Sequence, residues 1–300
     1  MAARWRIIAF RKIRRFFLLS PVTQGAANGL PQASAVVQLS SATDGLAARV
    51  GSRLNSVPST VTLSSMGAAQ DFQKWASVGG GGTSGTLDGT GGNVLFGVDH
   101  VTNGATLVGV YGSYAWLNAG ADRARSPAVG LYFGLPLAAN LLLNGHVGYA
   151  APRYNFGGPD VASDRVMAAL QLSGSWQVAA VLLTSGVSVS GYDEVIPAHS
   201  DGSGTIARDA SQYWTASANV RATATAPIGP SGLTPYLDAS LGRAQVSSSL
   251  SGDASFSIGR MAIGVLGTIG AGTLSAEIGS GQVLKDMRAT QVSMEYALRF

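Results

Sequence analysis

Residues 288–300 read RATQVSMEYALRF. Thr290, Val292, Met294, Tyr296, Leu298 and Phe300 occupy every second position, and Ala289, Gln291, Ser293, Glu295, Ala297 and Arg299 fill the other phase. Strict period-2 alternation predicts a strand with one apolar and one wet face. The strand stops on an aromatic residue at the end of the chain. A soluble sheet would fray there, whereas a membrane barrel closes there, with its last aromatic at the lipid–water boundary. The alternative is an edge strand of a soluble sandwich.

The composition agrees with the barrel. Charged residues make up 12% of the 300, against about 25% in ordinary globular chains, and glycine reaches 40. Nowhere do eighteen or more apolar residues run together, so a spanning helix is excluded, and a closed barrel remains as the way to satisfy every backbone group in lipid. The absence of cysteine decides nothing by itself. The basic balance is local. Arg4, Arg6, Arg11, Lys12, Arg14 and Arg15 precede the first acid, Asp44; removing these six from the twenty cations leaves fourteen against sixteen acids. The body is slightly acidic and has no basic face with interleaved aromatics, so nucleic acid is not expected as a partner.

Three regions follow along the chain. Residues 1–35 have a basic start, a short apolar patch at Phe16–Leu19 and the small-x-small triplet Ala33-Ser34-Ala35, and are read as a leader or signal segment, with a basic tail as the alternative. Residues 36–70 form a helix and a linker. In 36–55, Leu39, Leu46, Val50 and Leu54 recur at helical spacing, and Arg49 and Arg53 stack four apart on another side. Gly45 and Gly51 weaken this helix, so it needs a surrounding wall; Pro58 marks its end.

Residues 71–300 alternate apolar and polar residues in about twelve segments separated by turn chemistry, near 71–79, 91–101, 104–117, 124–136, 140–152, 163–175, 178–192, 209–225, 233–246, 253–268, 273–284 and 287–300. The links alternate in length. Those at 102–104, 137–139, 176–177, 227–232 and 270–272 are short; the glycine run GGGGTSGTLDG at 79–89, the segment 118–123, NFGGPDVA at 155–162 and the stretch 193–206 are wider. Short turns at one end and long loops at the other mark outer-membrane barrels, with the short ones periplasmic. Asp99, Asn144, Gln171, Asn219, Arg221, Glu277 and Glu295 fall in the wet, lumen-facing phase. Arg260 shares a phase with Phe256 and Ile258, which a rim position would reconcile. The predicted fold is therefore an all-β, transmembrane, antiparallel up-and-down barrel.

On these residues the chain resembles the C-terminal translocator domain of autotransporters, the type V secretion proteins. The resemblance rests on NVLFGVDHVTNGATLVGVYGSYAW at 93–116, a Gly-spaced apolar strand, an Asp, a tight turn and a second strand ending in Gly-x-Tyr. It rests also on the helix placed before a twelve-stranded barrel and on the aromatic-ended last strand. It implies that the helix threads the pore as the trailing end of a passenger carried in cis. It also implies residence in the outer membrane of a Gram-negative cell, in contact with its lipid. Tyr296, Leu298 and Phe300 would be the signal read by the barrel-assembly machinery, with periplasmic chaperones as further partners. Fewer than forty residues precede the helix, which leaves the passenger unidentified, and no Asn-Asn pair is present for self-cleavage.

No catalytic constellation stands out, and neither an enzyme nor a cofactor is expected. His146 is followed by Val147-Gly148 on a wet face, and His199-Ser200 are adjacent in a loop, so a lipase pair of His and Ser two apart on a lipid-facing strand is missing. His199 with Asp193, Glu194 and Asp201 is a rim cluster of the kind that omptin-like proteases need, more simply read as solvated loop groups. The glycine run lacks the Lys and Ser/Thr of a phosphate loop. A porin- or adhesin-like barrel without a passenger is the alternative function. For the plug, Arg49 and Arg53 are expected to pair with Glu277 and Glu295, which point inward from the last two strands and so neighbour the first strand once the barrel closes.

Overall fold

The computed structural model describes residues 29–55 and 72–298, apart from 86, 103–105, 201–203, 229–231, 270–271 and 285–286. One helix, α1 (Gly29–Asn55), precedes the strands β1 (Gln73–Gly85), β2 (Gly89–Val101), β3 (Leu107–Ala119), β4 (Asp122–Ala138) and β5 (Leu141–Ala150). Then come β6 (Arg153–Asn155), β7 (Val161–Ala162), β8 (Asp164–Val178), β9 (Val181–Ile196), β10 (His199–Ser200) and β11 (Thr205–Ile206). The chain continues with β12 (Asp209–Ala224), β13 (Thr234–Ser248), β14 (Gly252–Ile269), β15 (Gly272–Leu284) and β16 (Met287–Leu298).

Twelve of these strands are joined antiparallel in chain order, β16 pairs with β1, and the β3–β4 ladder completes the circle. The result is a closed up-and-down barrel with no free edge. The short strands lie at the loop end: β6 extends the β4 ladder beyond β5 and pairs with β7, and β10 pairs with β11.

The predicted faces hold. On β3, Tyr111, Ser113, Ala115 and Leu117 are buried inside, while Val108, Val110 and Tyr114 are exposed outside. Exposed Val129, Leu131, Val189, Met261, Ile263 and Val292 continue the outer belt round the wall. Inside, the core consists of three stacked clusters, each containing residues of α1. The barrel is thus packed against the helix rather than against a second sheet.

Four expectations are corrected. The glycine run is not a loop: Gly79 to Gly85 belong to β1 and pair with β16, and Gly79 to Thr83 pair also with β2, leaving only 86–88 as the link. A Cβ on Gly81 would run into the backbone of Thr290 and Gln291, so the close approach of strands requires glycine here. The segment 118–123 is no wide loop either. It shrinks to Gly120-Ala121, with Gly120 at φ +62° making the tight turn. Arg260 is not at the rim but points into the lumen with Phe256 and Ile258, because it has acidic partners there. The helix begins at Gly29 rather than Val36, and Ala33 and Ala35, of the triplet read as a cleavage pattern, are fully buried against the barrel. Residues 1–28 lie outside the described residues.

Candidate functional site

The lumen is the site, and α1 occupies it lengthwise. Its 27 residues make a rod of about 40 Å, longer than a hydrocarbon layer of about 30 Å. Leu30 and Ala33 pack at the loop end against Leu117, Tyr154, Phe156 and Ile196. Val36 and Leu39 pack in the middle against Met167, Tyr192 and Tyr213. Ala42, Leu46 and Val50 pack at the short-turn end against Trp75, Leu95, Tyr111 and Tyr132. A small residue on the wall lets the helix lie close: a Cβ on Gly134 of β4 would overlap Val50.

Polar side chains fix the helix at matching heights. Near the loop end Gln38 donates to the backbone oxygen of Ser126 at 2.9 Å and accepts from the Ser126 hydroxyl at 2.6 Å and from Arg165 at 2.7 Å. Arg165 is fully buried and pairs with Glu194 at 3.0 Å. Glu194 also accepts from the hydroxyls of Tyr154 and Ser163 at 2.5 and 2.6 Å. In the middle Thr43 lies 3.1 Å from His146, and Gln291 donates to Ser41 at 3.1 Å. At the short-turn end Arg49 forms a two-pronged pair with Asp99 at 2.7 and 3.1 Å and donates to Gln73 at 3.0 Å. Arg53 reaches the same carboxylate at 3.4 Å, and the Tyr132 hydroxyl donates to it at 2.7 Å.

The pairing expected with Glu277 is thereby corrected. Arg49 and Arg53 meet Asp99 of β2, not Glu277. Glu277 lies in a separate lumen cluster, where it takes Arg260, Arg221 at 3.5 Å and the Tyr236 hydroxyl at 2.9 Å. Arg221 also binds Asp238 at 2.9 Å, its cross-strand neighbour. Glu295 stands in the inward phase across from Ser77 and Ser275, but its side chain, like those of Tyr296 and Leu298, lies outside the described residues, as does the whole of Phe300. The Arg165–Glu194–Gln38 lock was not anticipated. A signal for it exists: with the β8–β9 turn at 179–180, inward-facing Arg165 and Glu194 fall directly opposite one another.

The rim cluster proposed around His199 does not assemble. Glu194 turns inward to Arg165, Asp193 is exposed on the outside, and His199 stacks on Phe156 with ring centroids 5.2 Å apart. Asp201 lies outside the described residues.

The helix leans on β2–β5, β8 and β9 and leaves space on the opposite side. A cavity of about 170 Å³ runs there between α1 and the wall, bordered by Gly80, Gly91, Ser190, Thr215, Asp44 and Arg260. Glycines and hydroxyls of the wall line it together with Val36, Leu39 and Ile258, so the unfilled part of the lumen is narrow-walled and mixed in character.

No protein-family model and no curated protein matches the chain. Solved structures do. The β domain of the Bordetella autotransporter BrkA superposes with a TM-score of 0.61 at 15% identity, covering 76% of this chain and 99% of that one. The translocator domain of autotransporter NalP from Neisseria meningitidis gives 0.55 at 12% identity, with 89% and 99% covered. The transport unit of the autotransporter AIDA-I from Escherichia coli gives 0.55 at 13% identity, with 83% and 97% covered. The chain has the fold of these translocator barrels.

Proposed function

We propose that this chain is an outer-membrane barrel of the autotransporter type, which carries a polypeptide segment N-terminal to α1 from the periplasm to the cell surface and keeps α1 in the pore as that segment's trailing end. The supporting observation is the direction of α1 through a closed barrel. Its N-terminus lies at the loop end beside Tyr154 and Phe156, and its C-terminus at the short-turn end beside Asp99. A segment joined to Gly29 would therefore emerge on the loop side. Outer-membrane lipid would surround the apolar belt. The barrel-assembly machinery and periplasmic chaperones would deliver the chain, reading Tyr296, Leu298 and Phe300.

The test places an epitope with a protease site ahead of Gly29 in cells making the full chain. Cleavage of the epitope from intact cells is the expected result. A heat-modifiable, membrane-inserted barrel whose epitope stays protected would overturn the export reading and favour a porin or adhesin. Deleting residues 36–55 provides a second readout. Single-channel conductance in planar bilayers should rise well above that of the intact chain, because removing α1 frees the part of the lumen that its side chains fill.

A further inference from the structure

On the outer surface of the loop end, β4 and β6 carry three arginines that the lumen does not use. Arg123, Arg125 and Arg153 are exposed and alternate with inward, buried Ala124, Ser126 and Tyr154, so all three point away from the pore. Arg125 lies directly opposite Arg153 in the β4–β6 ladder, and Arg123 stands one outward position nearer the loop tips. Like charges directly opposite each other destabilise a sheet. Yet among the described residues none of the three has an ion pair. Asp164, outward at the start of β8, is engaged by the Tyr149 hydroxyl.

The strand beneath this patch has a graded outer face. Trp116 is the ladder partner of Arg125, and its ring centroid is 6.2 Å from that of Tyr114. Below Arg125 the outward positions of β4 are Pro127, Val129 and Leu131, the last two 64% and 59% exposed. Six residues from Leu131 to Arg125 span about 20 Å of strand, or about 14 Å along the membrane normal at a tilt of roughly 45°. That is close to half of a hydrocarbon layer of about 30 Å. With Leu131 near the midplane, the guanidinium groups reach the level of the lipid phosphates, and the aromatic pair marks the boundary. Elsewhere on this end the outward charges are mixed in sign and not paired across a ladder: Asp193 and Asp253, Arg288, and Arg243, which donates to Ser255.

We propose that Arg123, Arg125 and Arg153 form a binding site for the phosphorylated head group of a lipid in the outer leaflet, whose acyl chains lie along Val129 and Leu131. This rests on the outer-membrane placement proposed above. A phosphate between Arg125 and Arg153 would replace their repulsion with two charge-assisted contacts, and the planar guanidinium fork suits two phosphate oxygens at once. Basic residues at a membrane surface gain further from the local concentration of anionic lipid.

The full chain in detergent, analysed by native mass spectrometry, tests this with two lipids of identical acyl chains, a diphosphorylated acylated glucosamine disaccharide and its dephosphorylated form. The phosphorylated lipid should be retained at least about tenfold more tightly. Arg123→Ala, Arg125→Ala and Arg153→Ala together should abolish the difference, whereas Arg243→Ala with Arg288→Ala should not. Equal retention of the two lipids, or an unaffected triple variant, overturns the site. Displacement of the lipid by inorganic phosphate as readily as by unlabelled phosphorylated lipid overturns the lipid assignment in favour of a soluble anion. If the triple variant fails to show heat-modifiable migration, single Arg125→Gln and Arg153→Gln take its place, and loss of the preference in neither overturns the site. Retention of the lipid by a barrel that fails the epitope test would sink the export reading and leave this site standing.

Discussion

Asp99 receives both arginines of the helix, whereas Glu277 binds arginines of the wall. Asp99 is 1% exposed and receives Arg49, Arg53 and the Tyr132 hydroxyl. Its two arginines are themselves buried, so its removal strands positive charge in the lumen. Breaking a buried pair from one side costs about 3–5 kcal/mol. Asp99→Ala should therefore unseat the lower half of α1, seen as frequent large openings in single-channel records, with lower stability in urea. Glu277→Ala, which removes a partner from Arg221 and Arg260 on the wall, should leave the openings rare. The opposite order would place the hold of the helix in the β12–β15 cluster.

Strands and helix have separate tolerances. On β8, Leu170 is 49% exposed on the lipid side, and its neighbour Gln171 faces Asn144 inside. Leu170→Arg should cost about 2–4 kcal/mol if it lies at the midplane, and Gln171→Arg much less. Equal losses in reversible unfolding from lipid or detergent would contradict the assigned faces. Between β4 and α1 the fit is steric. Gly134→Ala should push Val50 away and raise the open probability of the pore while the barrel itself still folds. Adding Val50→Ala removes the clashing methyl and should restore the closed state. Failure of this second substitution to rescue would mean that the helix is not seated on Gly134.

At the scale of the molecule, stability depends on closing the ring at the β1–β16 ladder, which runs from Ala76↔Tyr296 to Gly85↔Met287. Four consecutive glycines, Gly79 to Gly82, lie on one side of it, so the seam has few side-chain contacts on the β1 side and depends on backbone pairing. Deleting Phe300 should impair assembly more than pore properties. Outer-membrane levels of the truncated chain should fall, while the conductance of those barrels that do insert should be unchanged. Normal levels would show that the terminal aromatic is dispensable for insertion.

The faces of the strands, their number and the presence of a helix before them follow from local alternation. Lipid and lumen are two solvents on either side of a one-residue-thick wall, and a period of two records which side each residue meets. Val108, Leu170, Asn144 and Asp99 were assignable on that ground alone. Height along the barrel axis was not. Which inward residue meets which helix residue depends on strand tilt, stagger and closure, and these are properties of the whole ring. Asp99 and Glu277 share the lumen phase, yet only Asp99 lies beside the end of the barrel where Asn55 leaves α1 and Gln73 begins β1. The same condition draws the glycine run into β1, where closure brings Thr290 too near for a side chain. It also turns Arg260 inward, because Glu277 and Asp238 wait on the adjoining strands.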